Sequence, residues 1–252
     1  MRIALLGGPT GEQFVRLDGE RAHAFDRAPW LGGVETGASR GWREEELVCP
    51  VRPTKIVCIG RNYAAHAREL GHEVPSEPLL FLKPPSSLLG PGGVVVLPSE
   101  SARVEHEAEL VVVVGPRRAR NVSREDALTY VFGYSVACDV TARDLQRKDV
   151  QFTRAKGFDT FCPIGPWVET ELDPGNVAVR CRVNGAIRQD GVTAHMIFDV
   201  PTLVSYVSRM MTLEPGDVIL TGTPEGVGPL VDGDSLEVEV TGIGTLKLRV
   251  GT

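Results

Sequence analysis

The stretch RVEHEAELVVVV, residues 103 to 114, sets carboxylates at alternate positions and then runs into an unbroken apolar segment. In a strand, side chains two apart share a face, so Glu105, Glu107 and Glu109 are expected to point together and His106 the opposite way. Like charges at that spacing repel, and burial would further disfavour each ionised form. Solvent, protonation or a cation must relieve the repulsion. Standing alone, the stretch reads most simply as a strand with one wet face. The apolar run that follows reads as the interior of a sheet.

The rest of the chain narrows the choice. With 252 residues, 42% of them hydrophobic, it can bury a large core, which suits one large β-rich unit or a small unit joined to a larger one. A net charge of -6 argues against a nucleic-acid partner. The one basic cluster, Arg117, Arg118 and Arg120, reads as a solvated turn. No apolar run approaches the roughly 20 residues of a membrane helix, and the opening MRIALLGGPTGE is too short in its apolar part for a signal peptide. It reads instead as a first strand ending in a turn. The five cysteines, Cys49, Cys58, Cys138, Cys162 and Cys181, are scattered singly, which suggests a reducing compartment. A cytoplasmic protein is therefore expected, with no membrane partner. The Asn121-Val122-Ser123 sequon is read as chance, because Ser123 also fits the N-cap of a helix beginning REDALTYV.

Short apolar runs and turn signals fill the first fifty residues. Composition then changes at CPVRPTK, which predicts a small N-terminal β module over 1–52 and a larger unit over 53–252. In the larger unit KIVCIG, PLLFLKP, GGVVVLP, VEHEAELVVVVG, VFGYSVACDV and IGPWVE read as strands. VRCRVNGAIRQ reads as a hairpin turning at Asn184-Gly185, and SLEVEVTGIGTLKLRV as a closing hairpin. Helices are predicted at NYAAHAREL, near 123–130, at TARDLQRK and over about 199–211. Strands dominate without βαβ alternation, so the predicted class is mixed and β-dominated (α+β) rather than a doubly wound sheet.

GYSVACDVTARD places Asp139 at the end of an apolar strand, where a carboxylate can look into a cleft. Two glutamates and an aspartate are hard oxygen ligands that suit Mg²⁺, Mn²⁺ or Ca²⁺. His106, facing away, reads as a packed or hydrogen-bonded histidine. His66 and Glu69 are three apart and share a helix face, where the carboxylate can orient the imidazole and raise its basicity. The glycine-rich TGTPEGVG lacks the Gly-Lys-Ser/Thr ending of a phosphate-binding loop, so a nucleotide site is rejected.

IGRNYAAHAREL, EPLLFLKPPSS, HEAEL, GYSVACDVTARDLQ, AKGFDTFCPIGPWV, VNGAIRQ and LEPGDVILTGTPEGVG occur in order from about residue 54 onward. Together they resemble the fumarylacetoacetate hydrolase superfamily, in its acylpyruvase and 2-hydroxyhepta-2,4-diene-1,7-dioate isomerase branch. The resemblance implies a β-sandwich or roll with few helices. It implies a divalent ion, Mg²⁺ first with Mn²⁺ or Ca²⁺ as alternatives, held by Glu107, Glu109 and Asp139, with Glu105 just behind them. It also implies His66 as general base with Glu69 its orienter, and Lys156 beside the metal. Arg61, Gln189 and Thr223 are implied at the substrate, Lys83 near the pocket mouth, and a homodimer in solution.

The expected reaction is metal-dependent hydrolysis of a carbon–carbon bond in acylpyruvate-type 2,4-dioxo acids, the His66–Glu69 pair tilting towards hydrolysis. The alternative is isomerisation or decarboxylation of a diene-dioate or an oxaloacetate-type β-keto acid. A non-catalytic, metal-stabilised binding protein is the reading from another class. The stretch after α-helical NYAAHAREL, GHEVPSE, is a candidate lid.

Overall fold

The apolar run of the opening stretch forms the strand Ala108–Val114, and every one of its residues is buried. Leu110, Val112 and Val114 enter one hydrophobic core and Val111 and Val113 another. Both faces are covered, which is why the sequence shows no polar alternation there. In this computed structural model, which describes residues 1–9 and 11–252, the strand lies between Val131–Cys138 and Val218–Leu220, antiparallel to both. Among the described residues the chain forms 20 strands and four α-helices, a β-dominated α+β fold. The helices are α1 (Ala64–Glu69), α2 (Arg143–Lys148), α3 (Thr153–Lys156) and α4 (Val200–Met210).

The large sheet continues outward on both sides of this centre. Beyond Val218–Leu220 lie Ile56–Gly60, parallel to it, and the edge strand Leu79–Lys83. On the other side come Val131–Cys138, Cys162–Glu169 and then Arg2–Gly8, paired through Arg2 with Glu169 and Ile3 with Val168. The first strands of the chain thus extend the same sheet, and Trp30 anchors them, packed edge-on between Phe14 and Phe132.

A five-stranded sheet covers one face of the centre: Ala186–Val192, Ala178–Val183, Ser235–Val240, Gly244–Gly251 and Val94–Val96. Val179, Cys181, Val183, Leu236, Val238 and Val240 turn inward to the core that holds Leu110 and Val112. Alternate residues between them are only partly buried, the signature of a sheet with one wet face. Helix α4 adds Leu203, Val204 and Val207 to that core. Its start is fixed by Asp199, whose carboxylate accepts from the Thr202 amide at 3.0 Å, and by a proline in the first turn.

Three expectations need correction. The predicted long strand through residues 104–114 is broken at Glu107. Val104–His106 belongs to a separate small sheet with Thr141–Ala142 and Gly228–Pro229. At the break the Glu107 carbonyl accepts from the Asp139 amide at 2.8 Å, while its carboxylate is drawn to Arg143 and Lys156. The wet face is absent as well, since all three glutamates are buried. The helix expected near 123–130 is a turn followed by a 3₁₀ helix, Ala127–Tyr130. Ser123 still caps that turn, its hydroxyl accepting from the Asp126 amide at 3.2 Å. The amides of Asn121 and Val122 are already tied to Ser208, and the strand begins at Val131.

The basic cluster is a surface turn, with Arg118 paired to Glu214 and Arg117 over the Tyr130 ring. All five cysteines are free and buried, and burial pushes the Cys49 thiol up to about 11. No helix among the described residues is long and apolar enough to cross a membrane.

The central strand sets the stability of the whole. Leu110→Ala, which opens a cavity in the larger core, is expected to cost about 2–5 kcal/mol in urea unfolding. A loss below roughly 1 kcal/mol would show that the strand is not the centre of the packing.

Candidate active site

Around the break at Glu107, charged side chains from several elements meet. Glu107, Glu109 and Asp139 are only 4%, 2% and 1% exposed, and one oxygen from each lies within 4.8 Å of the others. Three cations reach them from three different elements. Arg143, the first residue of α2, bonds Glu107 Oε1 and also Glu105 Oε2 at 2.6 Å. Lys156, the last of α3, is 2.7 Å from Glu107 Oε2 and 2.6 Å from Asp139 Oδ2, with its ammonium over the Phe81 ring. Lys83 lies beneath, donating to Asp139 Oδ1 at 2.5 Å and to the Val140 carbonyl at 3.2 Å.

The charges divide the carboxylates into two kinds. Burial alone would raise Glu107, but Lys156 and Arg143 outweigh it and hold that carboxyl well below the ordinary range. Lys156 is likewise disfavoured by burial and raised on balance by Asp139 and Glu107. Glu109 goes the other way. Burial, then the charges of Asp139 and Glu107, push it well above the usual value, and its one hydrogen bond is from the Gly222 amide at 2.7 Å. Glu105 is lowered, Arg143 and Arg103 overcoming its burial.

Gly222 explains part of TGTPEGVG. Its φ is +96°, and a Cβ there would lie 2.7 Å from Asn62 Cβ, so only glycine lets this amide approach Glu109. Gly226 does the same for the acid–base pair. Its amide donates to Glu69 Oε1 at 3.0 Å, and a Cβ would meet the Arg188 carbonyl at 2.1 Å. The other oxygen of Glu69 lies 3.2 Å from His66 Nδ1. A carboxylate fixed from behind thus orients the imidazole across one turn of α1, leaving Nε2 as the nitrogen free for proton exchange.

These groups line one cavity of about 280 Å³. Glu107, Glu109 and Asp139 form its floor, while Arg61, His66, His72, Arg143, Arg147 and Lys156 are on its walls. Arg61 has a left-handed backbone, φ 58°. The next residue, Asn62, is fully buried, and its side chain bonds the Thr221 carbonyl and both backbone groups of Phe198.

Of the sequence candidates, Arg61, His66, Lys156, Thr223 and the three acids reach the cavity, and Glu69 stands directly behind His66. Gln189 is placed behind the wall. Its Oε1 accepts from the Ala108 amide and from His106 Nδ1, and its Nε2 donates to Thr223 Oγ1 and the Pro224 carbonyl, so no polar atom is left for a substrate. Its service is to brace Thr223. Lys83 lies under Asp139, buried rather than at the mouth. The sequence reading missed Arg143, Gln146, Arg147 and His72. The signal for Arg143 was present, because it follows Asp139 by four residues in a motif already singled out.

The donor set fits a hard divalent cation. It is all oxygen and buried, and Glu109 forms no ion pair among the described residues. Residues 55–251 match the model of the fumarylacetoacetate hydrolase C-terminal domain. The chain is 49% identical over 198 residues to the mitochondrial oxaloacetate decarboxylase of Dictyostelium discoideum, covering 76% of this chain and 90% of that one. It superposes on the 5-carboxymethyl-2-hydroxymuconate delta-isomerase of Mycobacterium smegmatis with a TM-score of 0.91 at 43% identity, covering 100% and 99% of the two chains. The fumarylpyruvate hydrolase of Pseudomonas aeruginosa, solved with Mn²⁺ and pyruvate, gives a TM-score of 0.76 at 36% identity, covering 81% of this chain and 91% of that one.

Because the folded state raises Glu109, protonation favours the fold, and that contribution is lost as pH rises above the ordinary carboxylate range. Glu109→Gln should therefore raise the melting temperature in EDTA at pH 8 by roughly 2–4 °C for each kcal/mol relieved, while weakening binding of divalent cations. A variant that melts lower, or that keeps full cation affinity, contradicts this account of Glu109.

Proposed function

The chain is an enzyme of the fumarylacetoacetate hydrolase family, and from that premise we propose that it decarboxylates, and interconverts the keto and enol forms of, a short 2-oxo dicarboxylic acid of the oxaloacetate kind. One observation carries the reading: a small cavity has an acidic floor but a wall of four cations, Arg61, Arg143, Arg147 and Lys156. With a divalent cation on that floor, the 2-oxo group and adjacent carboxylate of an oxo-acid would be directed to it, which leaves guanidinium groups for a second carboxylate. At about 280 Å³ the cavity sits just below the roughly 300–1,000 Å³ of drug-sized sites, in keeping with a short substrate.

A divalent cation held by Glu107, Glu109 and Asp139, Mg²⁺ or Mn²⁺, supplies Lewis-acid polarisation of the 2-oxo group when bound. The chain's own residues do the rest. Lys156, fixed between Glu107 and Asp139, lies where negative charge grows on the 2-oxo oxygen. When the C3–C4 bond breaks, its electron pair passes into the C2–C3 enolate and carbon dioxide leaves. His66 then delivers a proton to C3 from Nε2, while Glu69 holds the ring in place. In the keto–enol direction the same nitrogen removes and returns the C3 proton.

Hydrolysis, the first expectation from the sequence, becomes the second reading. The His66–Glu69 pair favours it, since an oriented imidazole also activates water. The relatives weigh against it: the decarboxylase is 49% and the isomerase 43% identical, the hydrolase 36%.

An absorbance assay of oxaloacetate, acetylpyruvate, fumarylpyruvate and 2-hydroxyhepta-2,4-diene-1,7-dioate, each with Mg²⁺ and with EDTA, separates the readings. Oxaloacetate is expected to turn over fastest, chelation to abolish it, and His66→Ala to lower kcat by about 10²–10⁴. Turnover confined to the two acylpyruvates would restore hydrolysis as the main activity.

A further inference from the structure

Each of the three floor carboxylates has one oxygen already committed to a donor of the framework. Glu107 Oε1 is bound by Arg143, Asp139 Oδ1 by Lys83, and Glu109 Oε2 by the Gly222 amide. None of these donors is free to move away. Arg143 is also held by Glu105 and Gln146, Lys83 by the Val140 carbonyl, and Gly222 by its close approach to Asn62. Of the second oxygens, Glu107 Oε2 and Asp139 Oδ2 share a single donor, Lys156, which itself lines the cavity, and Glu109 Oε1 accepts no hydrogen bond among the described residues.

We infer that this bracing limits Glu107, Glu109 and Asp139 to one ligand oxygen apiece, so that the site selects Mg²⁺ over Ca²⁺, with Lys83 setting the limit at Asp139. Mg²⁺ needs six oxygens in near-ideal octahedral array and keeps several waters. Ca²⁺ takes six to eight at longer range and draws readily on bidentate carboxylates. Three single oxygens, with the two atoms of an oxo-acid, nearly complete an octahedron and leave a larger ion short of ligands. Lys83 is a positioning residue here. It contacts neither cation nor substrate, and acts by keeping Asp139 Oδ1 turned away. The inference rests on the divalent-cation reading above and deepens it.

The test uses the full chain stripped with EDTA. Mg²⁺ and Ca²⁺ compete against Mn²⁺, and free Mn²⁺ is followed by electron paramagnetic resonance, for the wild type and for Lys83→Met. Both competitors carry the same charge, so loss of the lysine charge or a slightly loosened fold moves both affinities together, and only a change in ligand count moves their ratio. The wild type is expected to favour Mg²⁺, and in the variant the Mg²⁺/Ca²⁺ ratio to shift towards Ca²⁺ by roughly tenfold. An unchanged ratio overturns the role of Lys83. Infrared carboxylate stretches of the Mg²⁺-loaded wild type give a second reading that needs no variant: a wide, monodentate splitting is expected, and a narrow, bidentate one overturns the proposal. If Mn²⁺ does not bind the wild type at all, the divalent-cation reading itself falls, and this inference with it.

Discussion

A buried electrostatic imbalance organises this protein. Glu105, Glu107, Glu109 and Asp139 share the interior with Lys83, Arg143 and Lys156, all nearly inaccessible to water. Opposite charges at hydrogen-bonding distance in such a place hold one another firmly, and removing one partner leaves the other buried and unmatched. The cations come from the end of an edge strand, the first turn of α2 and the end of α3. The cluster therefore dictates how those elements meet as much as the apolar core does. Glu109 is the acid left over from this pairing, and with Glu107 and Asp139 it forms a buried set of carboxylates that could hold a metal ion.

Much of this was legible in the sequence, for reasons that differ residue by residue. The unbroken valines announced a strand covered on both faces, and Asn184-Gly185 announced a hairpin, because both signals depend only on local geometry. The His66–Glu69 pairing followed from helical spacing. The acidic floor drew attention because three carboxylates beside a core demand compensation. The compensating charges were far less visible. Nothing local in the sequence marks Arg143 or Lys83 as buried, and only the close meeting of distant elements buries them. Gln189 misled for the complementary reason: a polar side chain near a site has no mark in the sequence to say whether its amide faces a ligand or is spent on neighbours.

The break at Glu107 was hidden too, since the alternation of charge fitted a continuous strand. At the break the Glu107 carboxylate pairs with Arg143 and Lys156, cations from distant elements that the local pattern does not reveal. The glycine-rich loop was similarly opaque. The sequence excluded a phosphate cradle there but did not show that its amides serve carboxylates of the protein itself, Gly222 at Glu109 and Gly226 at Glu69. In both uses the backbone N–H is the functional group and the missing Cβ is what lets it arrive.

The bond from Gly226 to Glu69 joins positions 157 residues apart in the chain. The acid–base dyad is thus local in sequence only in part, because its orienting carboxylate is steadied by a loop near the far end. A growing chain that has emerged through α1 possesses the imidazole and its neighbour but not the clamp that aligns them. The dyad is aligned only once the loop carrying Gly226, in the last quarter of the polypeptide, has closed over α1.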